Sequence, residues 1–213
     1  MSFSLSIPND LAEIEFAAET VLSNQNLSDN ALVKNVLGGD ETAFVVLFER
    51  HKRAVAKLAG RFFSCPSQAD EIVQISFTNA YLALKNFRGS HEKSFISWLL
   101  QITNNACLDA LRSKARKRED FISELTNDEQ QFLSEIATHN YGFEAERVVV
   151  AKDLAQKLLS RLAPEEQMLL RLLDAAEMSV AEIAALTGWS SSKIKVKAHR
   201  ARKSLRKILH KFL

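Results

Sequence analysis

Apolar side chains recur along this chain every three to four positions, the period of an amphipathic helix. Between Ala31 and Arg118 they fall into three runs. Asp40, just behind Gly38-Gly39, is placed to cap the first, which carries Phe44, Leu47, Phe48, Val55, Leu58 and Phe62. Cys65-Pro66-Ser67 breaks it. The second run carries Ile72, Val73, Phe77, Ala80, Tyr81 and Leu84 and ends near Phe87-Arg88-Gly89. Ser94 can cap the third, with Phe95, Trp98, Leu99, Ile102, Ala106 and Leu111 inside. The pattern predicts one compact helical domain over residues 31–118.

Polar stretches bound that domain. Residues 1–30 are acidic with one weak helical pattern (Leu11, Ile14, Phe16, Val21), which reads as a loosely attached N-terminal extension. Residues 119–145 are polar and acidic with scattered aromatics, the composition of a flexible linker. Helical spacing resumes at Glu146 and runs through a second domain, 146–213. Pro164 stands where a first-turn proline belongs, ahead of Met168, Leu169, Leu172 and Leu173. Ser179 and Glu182 form a capping-box pattern that opens a short helix, and Gly188 can take the left-handed conformation that ends it.

The stretch after that glycine, SSSKIKVKAHRARKSLRKIL, begins with a five-residue alternation typical of a strand. Ile194, Ala198, Ala201, Leu205, Ile208 and Phe212 nevertheless share a narrow stripe at about 100° per residue, and that stripe lasts nineteen residues. Helix is the better reading. A short capped helix, a glycine turn and a basic second helix make a helix-turn-helix, whose second helix enters the major groove N-terminus first. Ser191, Ser192, Lys193, Lys195, Lys197 and Arg200 are suited to base edges and phosphates there, and Val196, off the apolar stripe, to a thymine methyl. Basic amphipathic helices also bind membranes and calmodulin-like grooves, so charge alone leaves those alternatives open.

Charge placement sharpens the picture. The net charge is only +2, yet Met1 to Val33 contain no Lys or Arg, and Ala181 to Leu213 hold nine bases against Glu182. A second basic run, Arg112, Lys114, Arg116, Lys117 and Arg118, lies mid-chain. Two separated basic patches in a nearly neutral chain point to two contacts with a polyanion. Six Gly and three Pro are too few for an all-β fold, so the class is all-α, two small helical domains on a flexible linker. No apolar run approaches the ~18 residues of a membrane span, and the N-terminus has no signal-peptide pattern. Cys65 and Cys107 have no metal-type spacing, which reads as an intracellular protein with reduced thiols, and no cofactor is expected.

These residues are similar to those of a known family. Ser179, Glu182, Ile183, Ala184, Gly188, Ser190, Lys195, Arg200, Ala201, Arg202 and Leu205 resemble region 4 of bacterial sigma factors of the extracytoplasmic-function (ECF) group. Asp70-Glu71-Ile72-Val73-Gln74, then Phe87-Arg88-Gly89, Phe95, Trp98, Leu99, Ile102, Asn105, Asp109 and Arg112, resemble region 2. The likeness covers about 31–118 and 146–209 in the family's order. It implies a protein that binds core RNA polymerase and directs promoter-specific initiation. Region 2 would hold the β′ clamp through Asp70, Glu71, Val73, Gln74 and Phe77. It would open the minus-10 DNA with His91, Lys93, Trp98, Asn105, Asp109, Arg112 and Arg116, holding a flipped base beside Asn105 and Asp109. Region 4 would read the minus-35 duplex and meet the β flap, and the acidic linker would thread polymerase channels. An anti-sigma partner follows by analogy.

Duplex opening of this kind needs a base pocket and strand-tracking cations rather than a covalent step. Trp98 is an unstacking wedge or, with Phe95 and Ile102 on its helical face, a core residue. Asn104 reads as a solvated neighbour of the site. Two positions depart from the family: Ile75-Ser76 follow Gln74 where an acidic residue is usual, and Val196 stands where a polar residue is common. Ile75 is the sole support for an alternative, a stand-alone helix-turn-helix regulator that has lost polymerase binding. An enzyme acting on DNA would need a nucleophile or carboxylate metal cluster, and neither stands out; Gly38-Gly39 is no phosphate loop because no GK[ST] follows.

Overall fold

A computed structural model describes residues 22–63, 65–89, 94–118 and 145–210. The regular elements among them are helical, and the chain divides into two compact units, Met1–Thr103 and Asn104–Leu213. The division falls inside a long helix rather than at residue 118. The extension to residue 21, most of the expected linker (119–144) and Phe212 lie outside the described residues.

In the first unit α1 (Asp29–Leu37) starts at Ser28, whose Oγ accepts from Ala31 N at 3.3 Å. It ends at Gly38-Gly39, where Gly39 has φ 103°, a conformation open to glycine without strain. Asp40 caps α2 (Glu41–Phe62) as expected, its Oδ1 accepting from Thr42 N at 2.9 Å. Ala43, Val46, Leu47, Val55, Leu58, Ala59 and Phe62 form the buried stripe of α2. Pro66 opens α3 (Pro66–Ala83), which continues as a 3₁₀ turn over Leu84–Asn86. Leu32, Leu47, Leu84, Phe95 and Leu99 are almost wholly buried in one core. Phe48 and Phe77 pack at 4.6 Å between ring centroids beside it.

Residues 22–30 are more than an extension. Asn24 is buried; its Nδ2 donates to Asp40 Oδ2 (2.8 Å) and Thr42 Oγ1 (3.2 Å), and its Oδ1 accepts from Asn35 Nδ2 (3.2 Å). Asp29, also buried, accepts from Arg50 Nη1 at 2.6 Å and from His51 Nε2 at 2.8 Å. Arg50 Nη2 reaches the carbonyls of Gln25 and Leu27, both at 3.0 Å. Burial alone would raise the Asp29 carboxyl; His51 and Arg50 outweigh it and hold it below the ordinary carboxylate range. A Cβ on Gly89 would fall 2.3 Å from Asn30 Oδ1, so the segment is also fitted against Phe87-Arg88-Gly89. The polar contacts fasten the segment to α2, and the fit of Asn30 against Gly89 sets it beside the turn at Phe87-Arg88-Gly89.

The helix α4 (Ser94–Arg118) begins in the first unit with Phe95 and Leu99 and passes into the second with Ala106, Cys107, Leu108 and Leu111 buried. The second unit continues with α5 (Ala145–Ser160), α6 (Pro164–Leu170), a π-helical segment Arg171–Ala175, α7 (Val180–Thr187) and α8 (Ser191–Leu209). Gln167 is buried and closes the α5–α6 turn by donating to Leu162 O at 3.0 Å. Leu162, Leu170 and Ala201 pack together, and Leu154 and Leu158 pack against Leu205, Ile208 and Leu209. This apolar seam holds α8 against α5 and α6.

Candidate nucleic-acid and polymerase interface

The helix-turn-helix assembles from local signals. Ser179 Oγ accepts from Glu182 N at 3.2 Å while Glu182 Oε2 accepts from Ser179 N at 2.8 Å, a complete capping box. Gly188 ends α7 at φ 70°, with its N–H on Ala184 O. Ser190 then caps α8, its Oγ accepting from Lys193 N at 3.3 Å. Ile194, Ala198 and Ala201 are buried and turn α8 so that its opposite face looks outward. On that face Ser191, Ser192, Lys193, Lys195, Val196 and Arg200 are exposed, Val196 to 50%.

The bases are unequally engaged. Lys197 donates to Glu165 Oε2, and Arg112 Nη2 donates to the other oxygen of Glu165 at 3.3 Å. The hydrogen bond from Lys197, chiefly, holds the Glu165 carboxyl below its ordinary value. Arg202 donates to Asp174 Oδ1 at 2.6 Å. Lys195 and Arg200 have no ion-pair partner among the described residues. Beside them a groove of about 670 Å³ has an apolar floor of Leu173, Val180, Ile194 and Ala198 and a rim that includes Lys195 and Arg202. Sequence reasoning missed Glu165 and Asp174, because charge pairs 32 and 28 residues apart leave no periodic trace.

On α4, Asn105 and Asp109 are exposed one turn apart, and Asp109 pairs with Arg112 Nη1 at 3.0 Å. Arg116 is exposed further along. Asn104 is not solvated but buried, its Oδ1 without a hydrogen-bond partner, because it falls on the inner face of α4 beside Thr103 and Cys107. Trp98 is half-buried, its ring 5.2 Å from Phe87 and 5.9 Å from Phe95. His91 and Lys93 lie outside the described residues.

On α3, Asp70, Glu71, Gln74 and Ile75 are exposed. Val73 and Phe77 are not part of that surface: both are buried in the core, since they continue the inward stripe with Ile72 and Ala80. Ser76 is buried too, its Oγ donating to Ile72 O at 2.6 Å. Beside these acids α3 exposes Ile75, to 39%, and two turns further on Leu82, to 66%.

Among the described residues no helix is long and apolar enough to cross a membrane, and no group of His, Cys, Asp or Glu is placed to hold a metal. Residues 47–117 match the family profile of Sigma-70 region 2, and residues 152–205 match that of Sigma-70, region 4. The ECF RNA polymerase sigma-E factor of Salmonella typhimurium is 28% identical over 189 residues, 85% of this chain and 94% of that protein. Its counterpart in Haemophilus influenzae is 36% identical over 102 residues, 47% and 52% of the two chains. The solved structure of CnrH in complex with the cytosolic domain of CnrY is similar at 25% identity and a TM-score of 0.48, covering 85% of this chain and 97% of that one.

Proposed function

We propose a division of labour among the residues of this chain, which belongs to the sigma-70 family as an ECF sigma factor. The protein binds core RNA polymerase and directs promoter-specific initiation. The observation that carries the residue assignment is the capped helix-turn-helix, with an outward face of serines, cations and Val196 on a helix fixed from behind by Ile194 and Ala201. Ser191, Ser192, Lys195, Val196 and Arg200 read the minus-35 duplex, with Lys193 and Lys197 on its phosphates.

On α4, Asn105 and Asp109 offer an amide and a carboxylate to an unpaired base of the minus-10 strand, and Arg112 and Arg116 track its phosphates. Trp98 packs on Phe87 and Phe95, which supports a core role rather than a free wedge. The work is binding and strand separation, with no covalent step assigned to a side chain. Asp70, Glu71 and Gln74 meet the polymerase clamp, with Val73 and Phe77 anchoring that helix from below. The protein acts in the bacterial cytoplasm, and its basic-rimmed groove supports capture by an acidic anti-sigma partner.

The test is direct. The protein is mixed with sigma-free core polymerase and a promoter library, and the transcripts are sequenced. One enriched pair of upstream elements is expected. DNA binding without promoter-specific initiation would sink the sigma assignment.

A further inference from the structure

Trp189 occupies the turn just before the recognition helix. Its backbone N–H donates to Thr187 Oγ1 at 3.2 Å, and that hydroxyl donates to Ile183 O at 2.7 Å. The backbone that carries the half-buried indole is thus tied to the end of α7. Two ammonium groups of α8 stand over it, Lys193 Nζ at 4.4 Å and Lys197 Nζ at 5.5 Å from the ring centroid.

That placement answers an electrostatic problem. The first turn of α8 contains no acid. Lys193 and Lys197 are one turn apart, where like charges repel, and they lie at the helix end whose dipole already disfavours cations. A lysine left to itself would swing into solvent. The negative face of an indole attracts an ammonium ion without neutralising it, so the charge stays available to a second anion. Glu165 also accepts from Lys197, whereas Lys193 has the indole as its sole charge-stabilising partner among the described residues.

We propose that Trp189 is a positioning residue of the minus-35 interface, holding Lys193, and secondarily Lys197, in the direction of a DNA phosphate before DNA arrives. This rests on the reading of α8 as the DNA-binding helix. The gain is preorganisation: a lysine already ordered loses less freedom on binding.

The test compares the full-length chain with W189F, W189L, K193A and W189L/K193A on a fluorescent random-sequence duplex, since phosphate contacts are independent of sequence. W189L keeps an apolar side chain and removes the π face. W189L and K193A are each expected to weaken binding roughly two- to fivefold, with the double variant well short of the product of the two effects and W189F within about twofold of wild type. A W189L chain that binds like wild type, or additive single effects, would overturn the proposal. NMR of the free protein supplies a separate readout. The Lys193 ε-methylene protons should be shifted upfield by the ring, and the shift should vanish in W189L. No such shift refutes the contact whatever the DNA result. A wild-type chain that shows the shift yet binds no duplex removes the DNA reading of α8, and the proposal with it.

Discussion

Replacing Glu165 by Gln should make this protein bind DNA more tightly. Glu165 is the acid that Lys197 and Arg112 share, with a third of its side chain exposed. A phosphate that recruits Lys197 must first displace this carboxylate. A part-exposed pair of this kind is worth at most about 1 kcal/mol, so its removal should raise affinity up to roughly fivefold at low salt. The salt dependence gives an independent number. Each cation newly committed to a phosphate adds about 0.9 to the slope of log K against log salt, or about 3.5-fold over a rise from roughly 50 to 200 mM. With Lys197 freed, the advantage of E165Q should therefore shrink by about that factor across the range, and by more where Arg112 also reaches DNA. Fluorescence anisotropy of a labelled duplex over a salt series measures both, with a thermal melt to show that the variant is folded. An unchanged slope in a folded variant would refute Lys197 as a phosphate contact, and weaker binding would show that Glu165 orders the interface instead of competing with it.

Four further outcomes are expected. Asp29→Ala should destabilise the first unit by about 2–4 kcal/mol in urea unfolding, because it strips two buried or part-buried bases of their acceptor. Since the Asp29 carboxyl is lowered in the folded chain, its contribution is present above the ordinary Asp range and is lost as pH falls through the folded value; D29A should flatten the acid limb of the stability profile. A thiol reagent at mild alkaline pH should label exposed Cys65 and spare Cys107, whose thiol burial pushes up to about 12; equal labelling would show that α4 opens. Gly89→Ala should lower the melting temperature, and Asn30→Ala in the same chain should recover part of the loss by vacating the space the new Cβ needs; purely additive effects would deny the contact. Ile194→Ala should cost about 2–4 kcal/mol in the second unit and weaken DNA binding with it, because Ile194 is wholly buried under α8; a loss below about 1 kcal/mol would show that α8 is held elsewhere.

What the sequence disclosed was local. The caps at Asp40 and Ser179, the proline at 164 and the glycine turn at 188 are decided by atoms within a few residues, so their signatures are written contiguously. The apolar stripes were equally legible, and Val73 and Phe77 should have been read from theirs: four residues apart among other core positions, they belonged inside. What stayed hidden was polar and long-range. Asp29 and Asn24 look like surface residues until Arg50, His51 and Asp40 are brought to them, and a buried polar knot has no period. Asn104 and Asn105 are identical neighbours with opposite environments, separated only by helical phase, which a single misplaced residue of register inverts.

The recognition helix joins both kinds of information. Its surface works against its own stability: bases dominate its outer face and no acid sits in its first turn. Its helicity must come from what lies behind and before it, namely Ile194, Ala198 and Ala201 on the seam and the Ser190 cap at the start. The nearby groups that touch its cations in the free chain each replace part of what a phosphate supplies. Glu165 takes Lys197, Asp174 takes Arg202, and the Trp189 ring takes Lys193. Lys195 and Arg200 have no such stand-in among the described residues and project with Val196 from the same exposed helix. On the proposed reading of α8 as the DNA-binding helix, an incoming duplex meets Lys195 and Arg200 at no exchange cost and then trades acids for phosphates at Lys197 and Arg202. On the same reading first contact through Lys195 and Arg200 is weakly selective. Discrimination would then fall to Val196 and the serines, which carry no charge and gain only when the base edges fit.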